Sequence, residues 1–231
     1  DTFILDSGFD TISDLGVGGD DILIVKSGAI AIANSILSFI ATSDTSNAGT
    51  ASLTAADGGS RTISVASAAA GSFTLTGGTG KDTLTGGLAA DIIGGGSGDD
   101  IITGGKGDDI ITGGAGVDTF KVDVGTDTIT DLGGSSGGES DKLIISENAT
   151  AKATVSVSFT ATSDTVNHTN NAVTKAVLST DTDGATIDMS AASGVFTLTG
   201  GAGVDRLTGG AGADTIDGKG GDDIITIAAA G

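Results

Sequence analysis

Five nine-residue repeats run without interruption from Gly77 to Lys121: GGTGKDTLT, GGLAADIIG, GGSGDDIIT, GGKGDDIIT and GGAGVDTFK. A second block, Gly200 to Thr226, reads GGAGVDRLT, GGAGADTID and GKGGDDIIT. The shared pattern is GGxGxDxUx, with U a large apolar residue. A strict nine-residue phase excludes a flexible acidic linker, which has no reason to hold an apolar side chain in register. Glycines at the first, second and fourth places admit positive φ, and hence a tight turn whose carbonyl oxygens crowd one small volume. The sixth place adds a charged oxygen: Asp82, Asp91, Asp100, Asp109 and Asp118 in the first block, Asp205, Asp214 and Asp223 in the second. Clustered oxygens without nitrogen or sulfur suit a hard cation such as Ca²⁺. The last three residues of each repeat predict a very short strand with its middle residue inward. Those residues are Leu84, Ile93, Ile102, Ile111 and Phe120, then Leu207, Ile216 and Ile225.

The pattern closely resembles the RTX (repeats-in-toxin) calcium-binding family. The resemblance implies an all-β chain built on a right-handed parallel β-roll, two repeats per coil, with several bound Ca²⁺ ions. Residues eighteen apart would then lie one above another. A calcium between stacked turns would be shared by Asp82 with Asp100, Asp91 with Asp109, Asp100 with Asp118, and Asp205 with Asp223. Asp214 lacks a partner coil within the second block. Ala89 in place of the fourth glycine, and Lys219 in place of the second, mark two turns as departures.

Acidic residues outnumber basic ones 30 to 10, a formal charge of −20, which argues against a nucleic-acid partner. Cysteine is absent, so disulfides do not stabilise the chain and a metal is the available staple. No apolar run approaches the ~20 residues that span a bilayer, and no signal peptide is evident. The RTX resemblance instead implies type I secretion and folding outside a bacterial cell.

The chain also repeats itself at an offset of about 120 residues: DTISDL at Asp10 returns as DTITDL at Asp127, and FTLTGGTGKDTLTGG at Phe73 as FTLTGGAGVDRLTGG at Phe196. This divides it into residues 1–25, the tail of a truncated repeat block; 26–76, a β-rich segment; 77–132, a roll block; 133–199, a duplicate of 26–76; and 200–231, the second roll block. Both ends fall inside the pattern, which reads as a window on a longer array or as a subunit whose ends are completed by neighbours. Val155, Val157, Phe159 and Ala161 alternate as a strand, while Asp57-Gly58 and Asp183-Gly184 resemble hairpin turns. These segments read as strands that either continue the roll or pack as small sandwiches.

Asp10, Asp14, Asp127 and Asp131 sit in tails like those closing RTX blocks, and Asp21 in a degenerate repeat, as either metal ligands or solvated turn residues. Asp99, Asp108 and Asp222, at the fifth place, are expected to face solvent. His168, the one histidine, is expected at the surface. Without cysteine, HExxH or a GxxxxGK[ST] loop, no catalytic arrangement is expected. Thr/Ala/Val-rich segments joined to RTX blocks resemble surface-layer proteins. That resemblance implies a calcium-dependent extracellular structural protein, self-associating into a layer, sheath or filament, with cell-surface polysaccharide anchoring through regions outside this sequence. The alternative is the secretion and folding module of a larger RTX adhesin, toxin or hydrolase. Ice binding is disfavoured by the irregular threonine spacing.

Overall fold

The computed structural model describes residues 1–133, 141–146, 149–155, 158–167, 175–180 and 184–227. Every strand pairing among them is parallel, and the chain winds as a β-solenoid of about ten turns. Among the described residues there is no helix, hence none long and apolar enough to cross a membrane.

One wall is an eleven-stranded sheet running from Gly8–Ile12 to Thr215–Asp217. It faces a seven-stranded sheet that includes Ser38–Ile40, Thr83–Thr85, Ile101–Thr103 and Thr119–Val122, continued by a four-stranded sheet ending at Ile224–Thr226. Within the repeats each coil advances eighteen residues, so Leu84 pairs with Ile102 and Ile102 with Phe120. The nine-residue period therefore places an apolar residue at the same point on every coil. Leu53, Leu75, Ile93, Ile111 and Ile129 form one inward column. Phe39, Ile63, Leu84, Ile102, Phe120 and Leu143 form the opposing one. All are buried, and the two columns meet as a core one side-chain layer deep. Ile216 is partly buried and Ile225 is 46% exposed, unlike their counterparts, because no described coil covers them.

The β-rich segments continue the roll with longer coils. Ala29–Ile36, Ser38–Ile40 and Ser46–Asn47 follow in sequence but lie in three different sheets, so the coil here has three walls rather than two. The duplicated segment repeats this: Ile24 pairs with Ser46 as Ile144 pairs with Val166. Asn47 and Asn167 hold the corresponding corner, their side-chain amides donating to the carbonyls of Ser72 and Val195.

Two expectations are corrected. Asp57-Gly58 is not a hairpin turn, since Thr50–Ala55 and Thr62–Ser64 belong to different walls. Its positive-φ glycines, Gly58 and Gly59, turn a solenoid corner instead. The expected strand around Phe159 is divided between two walls, Ala149–Val155 lying in the eleven-stranded sheet and Ser158–Thr160 in the four-stranded one. Val157, Asp183 and His168 lie outside the described residues.

Adjacent glycines in the strand Ile92–Ser97 have opposite roles. A β-carbon on Gly94 meets nothing within 4 Å, whereas one on Gly95 would overlap the Asp100 carboxylate and the Gly113 carbonyl. Gly94→Thr, which restores a β-former between Thr76 and Thr112, is expected to raise stability by about 0.5–1 kcal/mol. Gly95→Ala is expected to lower it by more than that. Chemical denaturation in saturating calcium separates the two; equal effects would refute the assignment.

Candidate calcium sites

The repeat turns stack on the two edges of the roll, and their aspartates form columns. On one edge the amide of Arg61 donates to Asp82 Oδ1 (2.8 Å), that of Asp82 to Asp100 (2.7 Å), that of Asp100 to Asp118 (2.8 Å), and that of Asp118 to Asp141 (2.8 Å). On the other edge Phe73 donates to Asp91 (2.7 Å), Asp91 to Asp109 (2.8 Å) and Asp109 to Asp127 (3.1 Å). The later block repeats the arrangement: Ala185 to Asp205 (3.0 Å), Asp205 to Asp223 (2.9 Å) and Phe196 to Asp214 (2.8 Å). The pairs expected from eighteen-residue spacing are thus stacked as the sequence indicates. Asp214 finds its neighbouring coil in the preceding β-rich segment.

One oxygen of each carboxylate is used in this ladder. The other is what makes the turns suited to a cation. Oδ2 of Asp82, Asp100, Asp109 and Asp127 is buried and has no hydrogen-bond partner. Leaving a buried anionic oxygen unpaired is strongly unfavourable, so these atoms call for a counter-charge. Backbone oxygen is at hand: the volume that a β-carbon would fill at Gly77, Gly86 and Gly200 lies against both the turn's own aspartate Oδ2 and the carbonyl of the first glycine one coil on. At Gly104 the same volume is flanked by Oδ2 of Asp109 and of Asp127, at 2.5 and 2.9 Å. Among the described residues no three acidic, histidine or cysteine side chains converge on one point. A cation here would draw on paired carboxylates completed by main-chain carbonyls, a donor set of oxygens alone, as Ca²⁺ prefers.

The electrostatics agree. Burial pushes the carboxyls of Asp100 and Asp127 up to about 6, and those of Asp109 and Asp118 up to about 7. Like charge adds to the effect, from Asp82 on Asp100, from Asp127 on Asp109 and from Asp141 on Asp118, while the donated backbone amides oppose it. Asp82 and Asp91 are raised by burial as well.

The remaining aspartates separate by position. Asp10, Asp14, Asp99, Asp108 and Asp222 are exposed. Asp99 and Asp108 accept the amides of Val117 and Thr126, tying one coil to the next from outside. Asp131 accepts the amides of Gly113 and Gly114 (2.9 and 2.8 Å). Asp21 is buried, and its Oδ2 takes the Gly16 amide at 2.6 Å. Asp141, buried at the end of its column, escaped the nonapeptide pattern because it follows a longer coil. The duplication carries the signal for it, since Asp21-Ile-Leu-Ile and Asp141-Lys-Leu-Ile are counterparts. Lys219 adopts a φ of 70°, a left-handed conformation that a lysine resists.

A parallel solenoid whose turns stack carboxylates and glycine carbonyls in columns is a calcium-type β-roll. Residues 74–102, 94–129 and 197–225 match the family model of the RTX calcium-binding nonapeptide repeat; these segments are RTX repeats, and they form part of a parallel β-solenoid. Neither the curated proteins nor the solved structures gave a significant match.

Two outcomes follow. Asp100→Asn removes charge from a buried, unpaired oxygen and is expected to raise the calcium needed for half-maximal β-structure by about tenfold. Asp99→Asn, at an exposed neighbour, is expected to change it little; equal shifts in circular dichroism titrations would refute the placement. In metal-stripped protein the folded-state carboxyls lie above their unfolded value of 3.8, so folding favours the protonated form. Stability is then fully present below about pH 4 and is lost as pH rises through about 6 to 7. Thermal melts at pH 5 and pH 8 without metal check this, and a higher melting temperature at pH 8 would contradict it.

Proposed function

We propose that this chain is a calcium-dependent extracellular structural protein, a self-assembling subunit of a bacterial surface layer, sheath or filament. The observation that carries this reading is the continuity of the eleven-stranded wall through the described residues. The β-rich segments are not a separate globular module to which a roll is appended; they share the eleven-stranded wall with the repeats. The chain is therefore an elongated solenoid walled by parallel sheets, a form that offers sheet faces for lateral packing. No catalytic role is part of this proposal.

The residues divide the work as follows. Inward Leu, Ile and Phe columns hold the two walls together, and Asp Oδ1 atoms lock each coil to the one before. The unpaired oxygens of Asp82, Asp100, Asp109 and Asp127, with Asp91, Asp118, Asp205, Asp214 and Asp223 in the same columns, would hold Ca²⁺. The ion supplies the positive charge that lets stacked carboxylates remain ionised in a compact roll. Neutralising part of the −20 charge would also reduce repulsion between neighbouring solenoids. Secretion in an unfolded state, with folding where calcium is abundant, fits the RTX character of the repeats.

Electron microscopy of the purified chain in millimolar calcium, and then in chelator, tests the assembly. Ordered sheets or fibres that dissolve together with the β signal are expected. A calcium-folded particle that stays monomeric at all concentrations would overturn the structural role and favour a folding module of a larger secreted RTX protein.

A further inference from the structure

The hexapeptide Gly-Gly-Ala-Gly-Val-Asp occurs at 113–118 and again at 200–205, and it folds in two ways. In the first copy Gly114 and Gly116 have φ of 106° and 131°. The strand Ile110–Ala115 runs on through both leading glycines, and the Gly114 amide donates to Asp131, one coil on. In the second copy the strand Thr197–Thr199 stops short, and neither Gly201 nor Gly203 is left-handed. There the Gly201 amide turns back onto Oδ2 of its own Asp205, at 2.7 Å. Identical residues in two conformations mean that the neighbouring coils, not the turn sequence, select the state. Asp131 lies where the register of its strand shifts, between Ile129 and Leu132, and among the described residues no equivalent carboxylate accepts the Gly201 amide.

The other turns sort by the same criterion. Gly87 donates to Asp91 Oδ2 at 2.6 Å and Gly210 to Asp214 Oδ2 at 2.8 Å; these are closed. The turns leading to Asp82, Asp100 and Asp109 are open, with Gly78, Gly96 and Gly105 left-handed. The unpaired buried oxygens of those three aspartates lie in open turns, and the closed turns contribute none. A glycine amide and a cation compete for the same oxygen. To take the ion, a closed turn must first give up a charge-assisted hydrogen bond and rotate its glycine peptide.

We propose that the calcium sites of this chain fall into two classes, set by whether the amide of the second glycine is latched onto the turn's own aspartate. Open turns, at Asp82, Asp100 and Asp109, accept the ion as they stand; Asp91, Asp205 and Asp214 accept it only after the latch opens. The inference rests on the calcium reading of the repeats. It also makes opening a neighbour-dependent event, because in the open state Gly78, Gly96 and Gly114 pair along the extended wall. The tighter sites therefore lie in the first block, whose one latched turn, at Asp91, belongs with Asp205 and Asp214 in the weaker class.

Equilibrium dialysis of the full chain against radioactive Ca²⁺ tests this, alongside ¹⁵N NMR at limiting and saturating calcium. Two binding classes at least about tenfold apart are expected. Asp205→Asn should remove ions from the weaker class alone, and Asp109→Asn from the tighter one. In the unmodified chain, which removes any concern about variant folding, the Gly87, Gly201 and Gly210 amides should shift only in the second step. A single class, or movement of the Gly201 amide with the first ions bound, would overturn the latch while leaving calcium binding intact. No Ca²⁺ bound at millimolar concentration would overturn the calcium reading itself.

Discussion

A carboxylate removed from water without a partner charge is among the least favourable things a small fold can contain, and this chain stacks such groups in columns. The rest of the architecture is arranged around that constraint. Each column needs a turn with almost no side-chain volume, because a β-carbon at the first glycine would occupy the space beside the carboxylate oxygen. It needs a constant coil length, so that the amide of one aspartate meets the carboxylate eighteen residues later. The apolar core is thin by consequence: three-residue strands offer one inward side chain each, as at Thr83–Thr85 and Ile101–Thr103.

The repeat blocks were legible in the sequence because their period encodes both the coil and the site. Nine-residue phase fixed the inward column through Leu84, Ile102 and Phe120, and eighteen-residue spacing fixed the pairing of Asp82 with Asp100 and of Asp91 with Asp109. The β-rich segments were harder to read for a physical reason. Their coils lengthen and gain a third wall, so a β-strand signature survives but the period does not. The Asp57-Gly58 pair shows the difficulty: a residue type that permits a tight turn serves a solenoid corner as well as a hairpin, and only the partner strands distinguish them. Asp141 was hidden for the same reason, since the amide of Asp118 reaches it across 23 residues rather than 18.

The fifth-place aspartates show how the same side chain serves two ends one residue apart. Asp99 is exposed and accepts the Val117 amide, while Asp100 is buried and leaves an oxygen unpaired. Both precede the strand Ile101–Thr103, in a turn that leaves the Asp99 side chain outside and carries that of Asp100 in. The outer carboxylate reinforces the coil-to-coil ladder in contact with water, where its charge is well solvated. The inner one carries its charge into the turn stack, where water no longer compensates it. Charge count alone therefore says little about where a cation is needed; side-chain direction decides.

Local sequence does not determine the state of a repeat turn. The glycines that make the open conformation accessible also make the closed one accessible, because a residue without a β-carbon has little preference between signs of φ. What separates Gly113–Asp118 from Gly200–Asp205 is the carboxylate that the adjoining coil offers to the glycine amides. A repeat array of this kind stores its conformational choice between coils rather than within them. Substitutions in one coil would then be felt at the turns of the next, and the behaviour of a block depends on what it is stacked against.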